Sequence, residues 1–393
     1  MGDFAIARGS MTMMARYSVM RGWIGILLFC AWGAPALAAG VSDEDLKSIA
    51  VKAQDALRNG QLDDYDALWD NAVTLDRITQ NVAAPPAIKA GFLNGLGTGF
   101  GKTLGGGIAK SIKDNGSYTF LGIKTIDGER RPILRMMSDQ GMNFHELIVE
   151  AGADGKPHIV DIYIVMTAES IVQTERRMYL MLTHMGPNKK LDPNIDSLVT
   201  LTETWQKGDF QGTLDAYNAA PEKLKRDRVM SLYRIMAAQR LGKDDLYFTA
   251  LGDYAKLHKE DATADLLSID LMFNKKDFGG AMTVLDSLEK KMGADGGIDF
   301  YRANLKATAG DAKAALEYAT KAVEKDPTLF NAADFCLTAA LQNGDFPSAK
   351  KYLLIIENNR PSFRFGDLKG AKLFEQFVKS PEYAQWQKER PKK

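Results

Sequence analysis

The chain has 393 residues, of which 45% are hydrophobic and 25% charged, a globular balance with length for two or three ordinary domains. Fifty basic residues offset fifty acidic ones, which removes any whole-molecule electrostatic case for nucleic acid as a partner. Two cysteines, Cys30 and Cys336, provide no disulfide framework, so the fold rests on its core.

The first elements form a leader. Arg8, Arg16 and Arg21 precede the apolar run Trp23 to Trp32, followed by Pro35 and the small-residue site Ala36-Leu37-Ala38. That is the grammar of a signal peptide over residues 1–38, and it predicts a periplasmic or secreted protein after cleavage behind Ala38. An uncleaved inner-membrane anchor is the alternative, because Gly22 to Ser42 carries no charge. Cys30 follows Phe29 and lacks a lipobox context, and Cys336 lies in the apolar helical stretch ADFCLTAAL as a buried small hydrophobe. Loss of the leader leaves a slight acidic excess.

Residues 41–187 read as an α+β domain. Ser42 caps a helix bearing Leu46, Ile49, Ala53 and Leu57 on one face, with Gly60 beyond its end, and a second helix is expected from about Leu62 to Ile78. The segment GFLNGLGTGFGKTLGGG from Gly91 to Gly107 follows. Its Gly101-Lys102-Thr103 imitates a phosphate loop, but Leu96 stands where the first glycine is required and no strand leads in. Large apolar residues recur at every fourth position from Ile88 to Ile112, interleaved with two glycine ladders, Gly91-Gly95-Gly99 and Gly97-Gly101-Gly105. Such spacing predicts close backbone packing within the protein. The uncharged part is too short to span a bilayer, so insertion of the mature chain in a membrane is not expected.

Four strand-like runs come next: SYTFLGIKTI, RPILRMM, MNFHELIVEA and HIVDIYIVMT, separated by Asp127-Gly128, Asp139-Gln140-Gly141 and Asp154-Gly155. They predict an antiparallel meander covered on one face by the preceding helices. Two-residue turns align Leu121, Leu134, His145 and Ile164 on the buried face, with His145 as a core histidine, and place His158 opposite Ala151. The other face collects Arg131, Arg135, Glu146, Asp161, Tyr118 and Tyr163, which alternation turns to solvent. Arg135, Glu146, Asp161 and Tyr163 are its candidate ligand-binding residues. The order of helix, helix and sheet resembles cystatin-like and nuclear-transport-factor-like α+β domains, which implies a small-ligand receptor or enzyme pocket as the alternative function.

Catalytic grammar is sparse. The four histidines form no H-E-x-x-H, no cysteine pair is available for metal, and no G-x-S-x-G elbow is present. Nothing in the sequence calls for a cofactor, a metal or a catalytic residue.

After a linker at 188–193, residues 194–389 repeat. Gly208, Gly242, Lys276, Gly310 and Gly344 open GDF, GKD, KDF, GDA and GDF at an unbroken spacing of 34 residues, each between two helical patterns. The fourth unit, with Ala315, Ala322 and Pro327, and the fifth, with Ala349 and Pro361, resemble tetratricopeptide repeats. The first units depart from that pattern, with Thr213 and Tyr247 at the small packing position. The resemblance implies an all-α hairpin solenoid, closed by a capping helix pair after Pro361, that binds a peptide or protein partner without chemistry. Gln239, Asp270, Asn304 and Thr338 are its candidate groove residues. The sequence therefore predicts an exported, non-catalytic scaffold with a partner in the cell envelope.

Overall fold

The computed structural model describes residues 41–97, 99–113, 116–138, 141–184, 193–360 and 363–391. The leader lies outside these residues. An α+β unit comes first and a run of helical hairpins second, as the sequence patterns require.

The opening helix Asp43–Arg58 starts where Ser42 Oγ accepts the Asp45 N–H at 3.1 Å, and Gly60 follows its end at φ +68°. The expected second helix is broken into Leu62–Asp66 and Asn71–Thr79. Trp69 causes the break by pairing with Ile159 of the sheet, and Asp70 then caps the next helix through the Val73 N–H at 3.0 Å.

The glycine-rich segment forms two helices, Pro86–Leu96 and Phe100–Ile112, separated at Gly97, whose φ is +81°. The ladders divide accordingly. A Cβ at Gly91 or Gly95 would meet nothing within 4 Å, so the first ladder packs against nothing there. At Gly101 and Gly105 a Cβ would lie 2.5 Å from Trp69 and Tyr65 respectively, so those two glycines admit aromatic rings onto the helix backbone. The GKT amides are also engaged. Lys102 N–H donates to Asp66 Oδ1 at 2.8 Å and Gly101 N–H to Asn71 Oδ1 at 3.1 Å, which fills the donors a phosphate would need. Lys102 Nζ is held by Asp63 at 2.5 Å.

The sheet has five antiparallel strands in sequential order: β1 Ser117–Ile126, β2 Glu129–Ser138, β3 Gly141–Ala151, β4 Pro157–Ile164 and the short β5 Glu169–Ser170. Asp127 and Gly128 take φ of +52° and +83°, the two left-handed positions of a type I′ hairpin turn. Two bulges correct the simple register. One at Leu121 pairs Phe120 rather than Leu121 with Leu134, and the other, at Val160, moves His158 opposite Glu150 instead of Ala151. His145 faces Ile164 as expected. It is buried, and its Nδ1 lies 3.0 Å from the buried Tyr118 hydroxyl. Tyr118 therefore belongs to the core face, with the opening helices above it.

The other face is not solvated. Ile133, Met137, Met142 and Phe144 join one core with Leu266, Ile269, Ile298 and Tyr301 of the hairpins. The expectation of a water-facing sheet surface fails because RPILRMM and MNFHELIV carry large apolar residues on both faces, Ile133, Met137, Met142 and Phe144 lying among the charges, as in a strand buried on two sides.

Five hairpins follow the sheet unit among the described residues: Pro193–Gln206 with Phe210–Ala219, Arg228–Arg240 with Asp244–Leu257, Ala262–Asn274 with Phe278–Met292, Gly296–Thr308 with Ala312–Lys325, and Phe330–Gln342 with Phe346–Asn359. The 34-residue marker has one physical meaning throughout. Gly208, Gly242, Lys276, Gly310 and Gly344 all take φ between +55° and +84°. Each donates its N–H to the carbonyl three residues back, and the next residue donates to the carbonyl five back, as in Asp311 to Lys306 at 2.9 Å. This is the Schellman stop repeated five times. Asp209, Asp277, Asp311 and Asp345 then cap the second helix of their hairpins. Among the described residues beyond Asn359 the chain makes short 3-10 turns at Lys372–Phe374 and Phe377–Lys379 and one helix, Pro381–Glu389, in place of the expected helix pair. Phe377, Tyr383 and Trp386 bury their rings there and close the end of the core.

Candidate binding site

Arg135 joins the two units. Its side chain is wholly buried, with Nη1 2.7 Å from Asp295 and Nη2 2.5 Å from Asp326, while the Ser117 and Thr119 hydroxyls lie 2.9 and 3.0 Å away. Asp295 also caps the helix Gly296–Thr308. The guanidinium fits because Gly297 has no side chain: a Cβ there would lie 2.7 Å from Arg135 Cδ. The two carboxylates raise the Arg135 pKa against burial, and the arginine holds the Asp326 carboxyl below its ordinary range. Thr263 Oγ1 donates to Val165 O at 2.5 Å and Met142 N–H to Tyr301 Oη at 3.2 Å across the same contact.

The other three sheet candidates go elsewhere. Glu146 pairs with Arg131 at 2.9 Å and faces Tyr163 on β4, and burial pushes its carboxyl up. Asp161 sits beside the β4 bulge and accepts the Ile162 and Val172 N–H groups at 2.8 and 3.0 Å, which caps the helix Ile171–His184. Burial raises its pKa to about 6. Arg135, Glu146, Asp161 and Tyr163 thus serve three different contacts and do not converge on one pocket.

A cavity of about 170 Å³ lies where the β2–β3 end of the sheet meets the first three hairpins. Met136, Met142, Met166 and Met236, with Leu232, Ile235 and Leu267, give it soft apolar walls, and Trp205 and Tyr247 add aromatic ones. Of the predicted groove residues, Gln239 and Asp270 line it, whereas Asn304 and Thr338 are half-exposed on later hairpins outside it.

Tyr247 explains why the cavity sits here. Its register position holds Thr213, Ala281, Ala315 and Ala349 in the other hairpins, all fully buried between helices. A tyrosine is too large for that seat. Its hydroxyl instead donates to Asp270 Oδ2 at 3.1 Å, and its ring meets Phe248 edge-on at 5.0 Å. Desolvation raises the Asp270 pKa to about 6, although the Tyr247 hydrogen bond favours the carboxylate. Burial and Asp270 together hold the Tyr247 hydroxyl well above its ordinary value.

Sequence reasoning found Gln239 and Asp270 through the repeat but missed Tyr247, Trp205 and the methionines. The departure at Tyr247 was the available signal. Among the described residues no group of histidine, cysteine and carboxylate side chains could hold a metal. Fold and cavity together define a class: a two-faced sheet docked on a helical-hairpin solenoid, with an apolar cleft where they meet. No protein-family model matches the chain, and no curated protein does either.

Proposed function

We propose that this is an exported, non-catalytic binding protein whose tetratricopeptide-like solenoid holds a peptide or protein partner by an apolar segment inserted into the cleft beside Tyr247. The observation that supports this most directly is the cavity itself. It is walled by four methionines and two aromatic residues contributed by both units. Methionine side chains adapt to varied apolar shapes, which suits a surface that must accept part of another chain. Export rests on the leader grammar of residues 1–38, outside the described residues. No helix among the described residues is long and apolar enough to cross a membrane.

The test is to fill the cleft. Leu267→Trp should retain the wild-type circular dichroism spectrum and melting behaviour while losing the partner recovered by affinity capture from the protein's own envelope extract. Undiminished recovery of the same partner by a folded Leu267→Trp variant would remove the cleft from the binding surface.

A further inference from the structure

Building on the cleft reading above, we propose that the ligand group entering it carries a positive charge on an apolar stem, a lysine-like ammonium in a peptide partner, and that Asp270 receives it. Asp270 is the carboxylate exposed to the cavity without a basic partner: among the described residues, Tyr247 alone is seen to donate to it. Two other carboxylates nearby are paired, and Arg240 is the cation of the lining. Glu169 lines the cavity but is buried against Arg177. Arg240 lines it as well, with its guanidinium 5.9 Å from the Phe210 ring centroid. Asp265, on the helix that carries Asp270, pairs with Lys291 at 2.7 Å.

An ionised carboxylate in an apolar cleft with one hydrogen bond has lost most of its hydration. A cation restores that loss with a charge-assisted hydrogen bond, while methylenes of its stem cover the methionines. Tyr247, whose hydroxyl reaches Asp270, adds an aromatic ring beside the same charge. A neutral ligand gains only the apolar contact. An anion meets Asp270 as a like charge.

Binding is then linked to protonation. Asp270 titrates near pH 6, so its ionised fraction rises from about one tenth at pH 5 to about nine tenths at pH 7. Affinity for a cation rises with it, by roughly tenfold at most. Tyr247 stays neutral throughout.

Calorimetric titration of the full mature chain with octylamine, 1-octanol and octanoate at pH 5 and pH 7 tests this. The expected result is octylammonium binding several-fold tighter at pH 7 than at pH 5 and tighter than octanol at pH 7, with octanoate weakest. Asp270→Asn should bind octylamine no better than octanol and without the pH dependence, with an unchanged melting curve as control. Equal, pH-independent binding of octylamine and octanol would overturn the cationic inference while leaving the apolar cleft standing. A preference for octanoate would overturn it in favour of Arg240. Binding of none of the three would overturn it and count against the cleft reading as well.

Discussion

At the scale of single residues, burial rather than chemistry explains the two most suggestive side chains of the sheet. His145 is packed under the opening helix, and desolvation lowers its pKa to about 4. The unfolded chain binds that proton near pH 6.5 and the folded chain does not, so His145 withdraws stability as pH falls from 6.5 towards 4. The full loss is roughly 3 kcal/mol, and His145→Leu should flatten that part of a urea stability-versus-pH curve relative to wild type. Parallel curves for the two proteins would show that His145 is not buried neutral. Arg135 has the opposite character, since it is buried charged. Removing it strands Asp295 and Asp326 in the interior, and Arg135→Ala should cost about 3–5 kcal/mol in urea unfolding. The Asp326 contribution has its own sign: a depressed pKa stabilises above the ordinary carboxylate value and is lost as pH falls below about 4.

Elements were legible where local rules act alone. The Ser42 cap, the Asp127-Gly128 turn and the five 34-residue stops could be read from the sequence because each depends on a few neighbouring residues. Lys276 tests that reading. It holds a left-handed φ of +55° that glycine occupies in the other four stops, so Lys276→Gly should raise stability by about 1 kcal/mol by chemical denaturation. The glycine ladders show the limit. Spacing revealed that glycines were needed but not which ones, because the rings of Tyr65 and Trp69 come from another helix and its flank. Gly105→Ala should destabilise by about 1–3 kcal/mol through overpacking. Gly91→Ala, in open space inside a helix, should stabilise by about 0.5–1 kcal/mol. Equal effects at the two positions would refute the division.

Across the whole molecule, the sequence disclosed both units but not their contact. The charges of Arg131, Arg135, Glu146 and Asp161 suggested water, yet three of those four residues are buried and Arg131 is mostly so. Arg131 and Glu146 pair across neighbouring strands and Asp161 caps a helix of its own unit, whereas Arg135 finds its carboxylates in the other unit, 160 residues away in the case of Asp295, a separation that no local pattern encodes. The cleft was half legible for the same reason. Repeat register supplied Gln239 and Asp270, whereas its sheet wall of Met136, Met142 and Asn143 exists only once the units dock. The docked arrangement leaves the later hairpin positions Asn304 and Thr338 outside the cleft, although a plain solenoid would use all its hairpins alike. A photo-crosslinking amino acid placed in turn at Met236, in the cleft, and at Thr338, outside it, tests that distinction in the protein's own envelope. A partner adduct is expected from Met236, abolished by Leu267→Trp, and none from Thr338; an adduct from Thr338 with none from Met236 would place the binding surface outside the cleft.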